Sequence, residues 1–136
     1  MAVFVKFSPL VAALANGVHN LSTNQITVAL TSVAPTATNA VLADLTQIAY
    51  TNMSSRNITT TSSSQTSGVY KLILADLIIT QTTTISASFR YIALYNSTVA
   101  SGNLIGFYDY GSSTFLNAGD TITIDFDQVN GVIQLT

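Results

Sequence analysis

Asp120-Thr-Ile-Thr-Ile-Asp-Phe-Asp-Gln-Val-Asn-Gly-Val-Ile-Gln-Leu135 is the stretch whose reading decides the fold. Thr121, Thr123 and Asp125 alternate with Ile122, Ile124 and Phe126, the period-2 pattern of a half-buried strand. Asn130-Gly131 then stands between two apolar runs, and that dipeptide suits the positive φ angles of a two-residue turn. The segment predicts an antiparallel hairpin that ends the chain within a sheet.

Working back from it, the same signals recur. Ile26, Val28 and Leu30 face one way along Gln25–Thr31, and Thr83–Asn96 predicts the longest strand. In that strand Ile85, Ala87, Phe89, Tyr91, Ala93 and Tyr95 share a face. Ile92 and Leu94 on the other face predict a second half covered on both sides. Val69–Leu74 and Leu77–Thr80, broken at Ala75-Asp76, read as two strands or one bulged strand. Asn52–Gly68 is Ser/Thr-rich and reads as a surface loop or an exposed edge strand around residues 57–61. Ser8-Pro9 starts a short helix through Leu10, Val11, Leu14 and Ala15, stopped by Asn16-Gly17. Seven or so short strands and one N-terminal helix predict a mainly β, single-domain antiparallel sandwich, jelly-roll-like, over residues 1–136.

Composition narrows the chemistry. The 136 residues contain no Cys, so disulfides and thiolate chemistry are excluded. Charged residues are 7% of the chain against roughly 25% in an ordinary soluble domain, while 48% are hydrophobic. Four scattered basic residues and a net charge of −2 build no phosphate-tracking patch, which argues against nucleic acid. No apolar run approaches the ~18 residues of a membrane span. The Met1–Gly17 stretch faintly imitates a signal peptide, but Lys6 lies inside its apolar run, so no cleavage is expected. A charge-poor surface of this kind is better protected when partners cover it, and assembly is the functional inference.

Catalysis is not expected. His19 is the single histidine, no G-x-S-x-G is present, and His19 reads as a satisfied turn residue after the helix. Asp125–Gly131 superficially imitates a calcium loop, but its Asn and Gly are displaced and the chain has no Glu, so neither metal nor cofactor is expected. Asp125 and Asp127 read as solvent-facing strand residues. Phe107, Tyr108, Tyr110 and Phe115 read as a core and interface cluster. The competing reading is a sugar platform of Tyr108, Asp109 and Tyr110.

Several segments carry a family resemblance: Leu14-Ala-Asn-Gly-Val-His-Asn-Leu21 with Ile26-Thr-Val-Ala-Leu-Thr31; Phe89-Arg-Tyr-Ile-Ala-Leu-Tyr-Asn96; Leu104-Ile-Gly-Phe-Tyr-Asp-Tyr-Gly111; and Ala118–Asp127 with Asn130-Gly131-Val-Ile. Together they resemble small virion proteins of tailed bacteriophages, over most of the chain except about residues 35–81. That middle stretch lacks the Gly- and Tyr-containing turn of such proteins. The resemblance implies a non-enzymatic structural protein, most concretely a capsid decoration or cement protein, residing in the virion and assembled in the bacterial cytoplasm. Its partners would be the major capsid protein or other virion proteins. Homo-oligomerisation is expected, with a trimer favoured because a three-fold would match an icosahedral site. Candidate partner contacts are Phe4 and Phe7 at the N-terminus, Arg56 and Ile58 in the Ser/Thr-rich stretch, and Tyr108 and Tyr110. A neck or tail component is the alternative within the virion, and a host-glycan-binding module the alternative outside that class.

Overall fold

A computed structural model describes residues 2–136. In chain order its elements are β1 (Phe4–Lys6), α1 (Leu10–Ala15), β2 (Ile26–Thr31), a 3-10 turn (Leu42–Asp44), β3 (Asn57–Ile58), β4 (Thr60–Thr66), β5 (Val69–Leu74), β6 (Leu77–Thr80), β7 (Phe89–Asn96), β8 (Leu104–Thr114), β9 (Thr121–Ile124) and β10 (Ile133–Leu135). All strand pairs are antiparallel. They form a five-stranded sheet, β1-β8-β7-β2-β3, a three-stranded sheet, β10-β5-β4, and a two-stranded sheet, β6-β9. The mainly β, sandwich-like class follows from the alternation read above.

Alternate residues of all three sheets meet in one core. Ile26, Val28, Leu30, Ile92 and Leu94 come from the large sheet, Leu72, Leu74 and Ile133 from the three-stranded sheet, and Ile79, Ile122 and Ile124 from the two-stranded one. Phe89 and Phe126 fill the same core. The other face of the large sheet carries a second, smaller cluster of Phe7, Ala29, Ala93, Tyr95 and Leu104, roofed by Leu42 and Leu45. Covering on both faces explains why Ile92–Asn96 is buried at every position.

Two irregularities between β7 and β8 decide which residues reach which cluster. The register passes from Leu94↔Gly106 to Tyr95↔Leu104, so Ile105 is an extra residue on β8. This lets Ile105 enter the main core while its neighbour Leu104 enters the outer one. The second break, between Phe89 and Tyr91, spans residues 110–113 of β8 and returns Phe89 to the main core.

Several expectations need correction. The C-terminal hairpin does not form: β9 pairs with β6 and β10 with β5. Asp127 reverses the chain earlier, its carboxylate accepting the N–H groups of Val129 and Asn130 at 2.9 and 2.8 Å. Gly131 does sit at φ 79°, where a Cβ would come within 2.6 Å of the Leu72 carbonyl. The long strand begins only at Phe89. Ser86 instead bonds Leu116 through both its backbone and its hydroxyl, and Ile85 is exposed. Of the two readings of the Ser/Thr-rich stretch the edge strand is the one that forms, as β3 and β4, each at the end of its sheet, with β4 closed onto β5 by Ser67-Gly68 at φ of 52° and 81°. Positive φ at both positions is the geometry of a type I′ hairpin turn. Finally, Ser8 makes no side-chain cap, and Phe4 lies on a strand before the helix.

Candidate functional site

A recess of about 660 Å³ opens between β1, α1 and β10. It is lined by Phe4 and Lys6, by Leu10, Val11 and Leu14 of the helix, and by the chain from Val132 to Leu135. Both strands that flank it are the end strands of their sheets. Leu10 is core, whereas Val11 and Leu135 are 55% and 48% exposed, so the helix stripe read as apolar spacing is divided between core and groove.

Phe4 is held in this groove by the residues beneath it. It pairs with Tyr108 across the β1–β8 ladder, ring centroids 5.4 Å apart, and Tyr108 in turn lies 6.1 Å from Phe126. Gly106 makes the space: a Cβ there would collide with the Phe4 ring. Burial, with the negative charge of Asp127, pushes the Tyr108 hydroxyl up to about 12, so it stays neutral.

The predicted contact residues separate into three groups. Phe7 and Ile58 are wholly core, at 0% and 3% exposure, and offer nothing to a partner while the domain is folded. The apolar excess of the N-terminus and the lack of a core pattern around Ile58 suggest availability, yet each is the buried member of an alternating exposed–buried–exposed run. Arg56 is committed internally: its guanidinium lies 3.6 Å above the Tyr50 ring and donates to the Val28 carbonyl. Phe4, Tyr108 and Tyr110 remain at the surface of recesses, with Tyr110 half exposed.

Tyr108 and Tyr110 line a smaller recess of about 320 Å³ with Ile92, Ile122 and Ile124. Asp109 does not join them. Strand alternation turns it to the opposite face, where Arg90 binds both carboxylate oxygens at 2.8 and 3.0 Å and the Gly111 N–H adds a third bond. Those contacts, the Arg90 hydrogen bond first, hold the Asp109 carboxyl below its usual range. The trio required for a sugar platform is therefore not assembled on one face.

His19, read as a satisfied turn residue after the helix, is buried there. Its Nδ1 accepts from the Asn96 amide at 3.0 Å, and the same amide donates to Asn24 at 2.8 Å. Its Nε2 has no partner, and burial lowers the imidazole pKa. Among the described residues neither a hydroxyl nor a carboxylate is bonded to the ring, and the arrangement ties the helix exit to β7. Among the described residues no three His, Asp or Glu side chains converge as a metal site, and no helix is long and apolar enough to cross a membrane.

Compared with known proteins, the chain matches no family model, no curated protein and no solved structure.

Proposed function

We propose that this chain is a non-enzymatic structural protein of a tailed-phage virion, most concretely a capsid decoration protein seated on the head lattice. The sequence segments around Leu14–Leu21, Phe89–Asn96 and Leu104–Gly111 supply the virion assignment. The structural observation that carries the assembly half of the reading is the groove between the two end strands. This recess is mainly apolar and is bordered by strands that are the end strands of their sheets among the described residues, which suits association with another protein surface.

The mechanism is additive burial. A domain of this size has room for two or three contacts of about 800 Å² per partner. Several weak contacts made together on a preformed lattice bind far more tightly than any one alone. The major capsid protein is the partner in this reading.

Copies per purified particle, measured by quantitative mass spectrometry against the major shell protein, test the proposal. Hundreds of copies support decoration. Six, twelve or small multiples would transfer the protein to the neck or tail, where rotational symmetry sets the number. No copies would remove the virion reading altogether.

A further inference from the structure

The groove is bordered by an edge whose own chemistry specifies what can cover it. Phe7 N–H donates to the Ile105 carbonyl at 3.1 Å, and Val5 lies opposite Phe107 in the same register. In an antiparallel ladder, alternate residues point their main-chain groups to opposite sides. Val5 and Phe7 therefore face β8, and the N–H and C=O groups of Phe4 and Lys6 point outward with no strand beside them among the described residues, the open edge ending at Ser8, whose N–H donates to the Ala37 carbonyl at 2.7 Å. The side chains divide the other way. Phe4 and Lys6 line the groove, while Val5 stands on the opposite face of the sheet, 41% exposed.

We infer that the groove is covered by a second copy of this chain, with β1 pairing β1 antiparallel about a two-fold axis through Val5. In that register Phe4 lies opposite the partner's Lys6 and Lys6 opposite the partner's Phe4. Each outward-pointing residue thus meets another outward-pointing residue, and four main-chain hydrogen bonds close. Val5 meets the partner's Val5 as a close β-branched pair, the arrangement that stabilises a sheet face. The five-stranded sheet becomes a continuous ten-stranded one.

Charge selects this register over its neighbours. A lysine on an edge strand ordinarily discourages edge pairing. Moving the axis by one residue to Lys6 would set two ammonium groups opposite each other, whereas the Val5 axis places each beside a phenyl face. No acidic side chain lines the groove to neutralise Lys6 within one copy. Side-chain continuity also carries the partner's Phe4 into the groove beside Leu10, Val11 and Leu135, so each copy fills the other's recess. An isologous contact of this kind closes at two copies, in place of the three-fold expected from the sequence. The inference rests on the assembly reading above, but not on the virion.

The chain's lack of cysteine makes a direct test possible. Val5→Cys, oxidised in dilute solution, is expected to run as a dimer on a non-reducing gel, because a close antiparallel pair meets disulfide geometry. Val129→Cys, on another turn and more exposed than Val5 at 75% against 41%, is expected to stay monomeric. Light scattering on the unmodified protein should give twice the chain mass. Val5→Lys should halve that mass while circular dichroism keeps the folded spectrum, since Val5 is 41% exposed and belongs to neither core cluster. A monomeric or trimeric wild-type protein, or a dimer indifferent to Val5→Lys and not trapped by Val5→Cys, would overturn the inference. Dimers in solution with no copies in particles would sink the virion reading alone. Particle copies from a monomeric chain would sink the two-fold alone.

Discussion

The two ends of the five-stranded sheet are finished in opposite ways. At the β3 end the chain runs from Ile58 directly into β4 of the facing sheet, turning a sheet edge into a corner. Side chains lock that corner: the Gln25 amide donates to the carbonyls of Ile26 and Ile58, Thr27 bonds Asn57, and Arg56 lies on Tyr50 while reaching Val28. At the β1 end there is a three-residue strand beside an apolar groove, with no further strand paired to it among the described residues. A domain that spends so much polar bonding on one edge, yet leaves the other apolar and unpaired, has a closed end for stability and an open end for association.

That contrast predicts where substitutions will hurt. The largest effect is expected at Phe7, which follows the open strand but has its ring at 0% exposure, 5.1 Å from Phe107, in the outer cluster. Phe7→Ala should cost about 3–5 kcal/mol of folding stability, because the small outer cluster has few neighbours able to collapse into the void. Denaturant melts read the loss directly. An effect under about 1 kcal/mol would mean that the outer cluster contributes little, and the two-core description would fail.

Arg56 comes next, at the closed end. Removing the guanidinium strips a ring contact and leaves the Val28 carbonyl without its side-chain donor, although Val28 N–H keeps its bond to the Arg56 carbonyl. Arg56→Ala is expected to cost about 1–3 kcal/mol and leave the dimer intact. Lys would be a poor replacement, since an ammonium cannot both stack flat on Tyr50 and reach the carbonyl. If Arg56→Ala instead changed the mass in solution while the melting temperature stayed constant, Arg56 would belong to the interface and the closed end would be misassigned.

A smaller effect is expected from pH. His19 is buried neutral, with its pKa lowered by desolvation, while in the unfolded chain it titrates near 6.5. Below 6.5 the unfolded state therefore binds more protons, so stability is fully present above that pH and declines as pH falls toward the folded value. Protonating Nδ1 would also remove the acceptor used by Asn96. His19→Gln should flatten the stability profile between pH 7 and 5. A wild-type profile already flat across that window would show that the ring is solvated in solution.

Most of the sandwich was readable because alternation reports burial directly. The Ile122, Ile124 and Phe126 set is buried as its spacing predicts, and Ile92–Asn96 is buried on both faces. The failures have specific causes. The hairpin expected at Asn130-Gly131 ignored that Asp127 could satisfy the local N–H groups and turn the chain first. Phe7 and Ile58 prove to be core because the apolar excess of the N-terminus does not say which of its residues turn inward, and the Ser/Thr-rich stretch around Ile58 has no core pattern of its own. The groove was least legible of all. Its walls come from both ends of the chain, and nothing in Lys6 or Leu135 alone signals that the other is near.

The smallest effect is expected at the Arg90–Asp109 pair, which belongs to neither end of the comparison. Both side chains are well exposed, at 40% and 44%, and water screens the attraction even though the contact is bidentate. Arg90→Ala should therefore leave the melting temperature and the dimer unchanged within experimental resolution. What should change is Asp109, whose carboxyl is depressed chiefly by its hydrogen bond with Arg90 and then by the Gly111 N–H. In the variant its side-chain carboxyl resonance should titrate at higher pH than in the wild type. The pH of that transition separates a pair that exists in solution from one that water has dissolved. If the transition does not move, the bidentate contact is absent in solution, and Asp109 is free to serve the face that carries Tyr91.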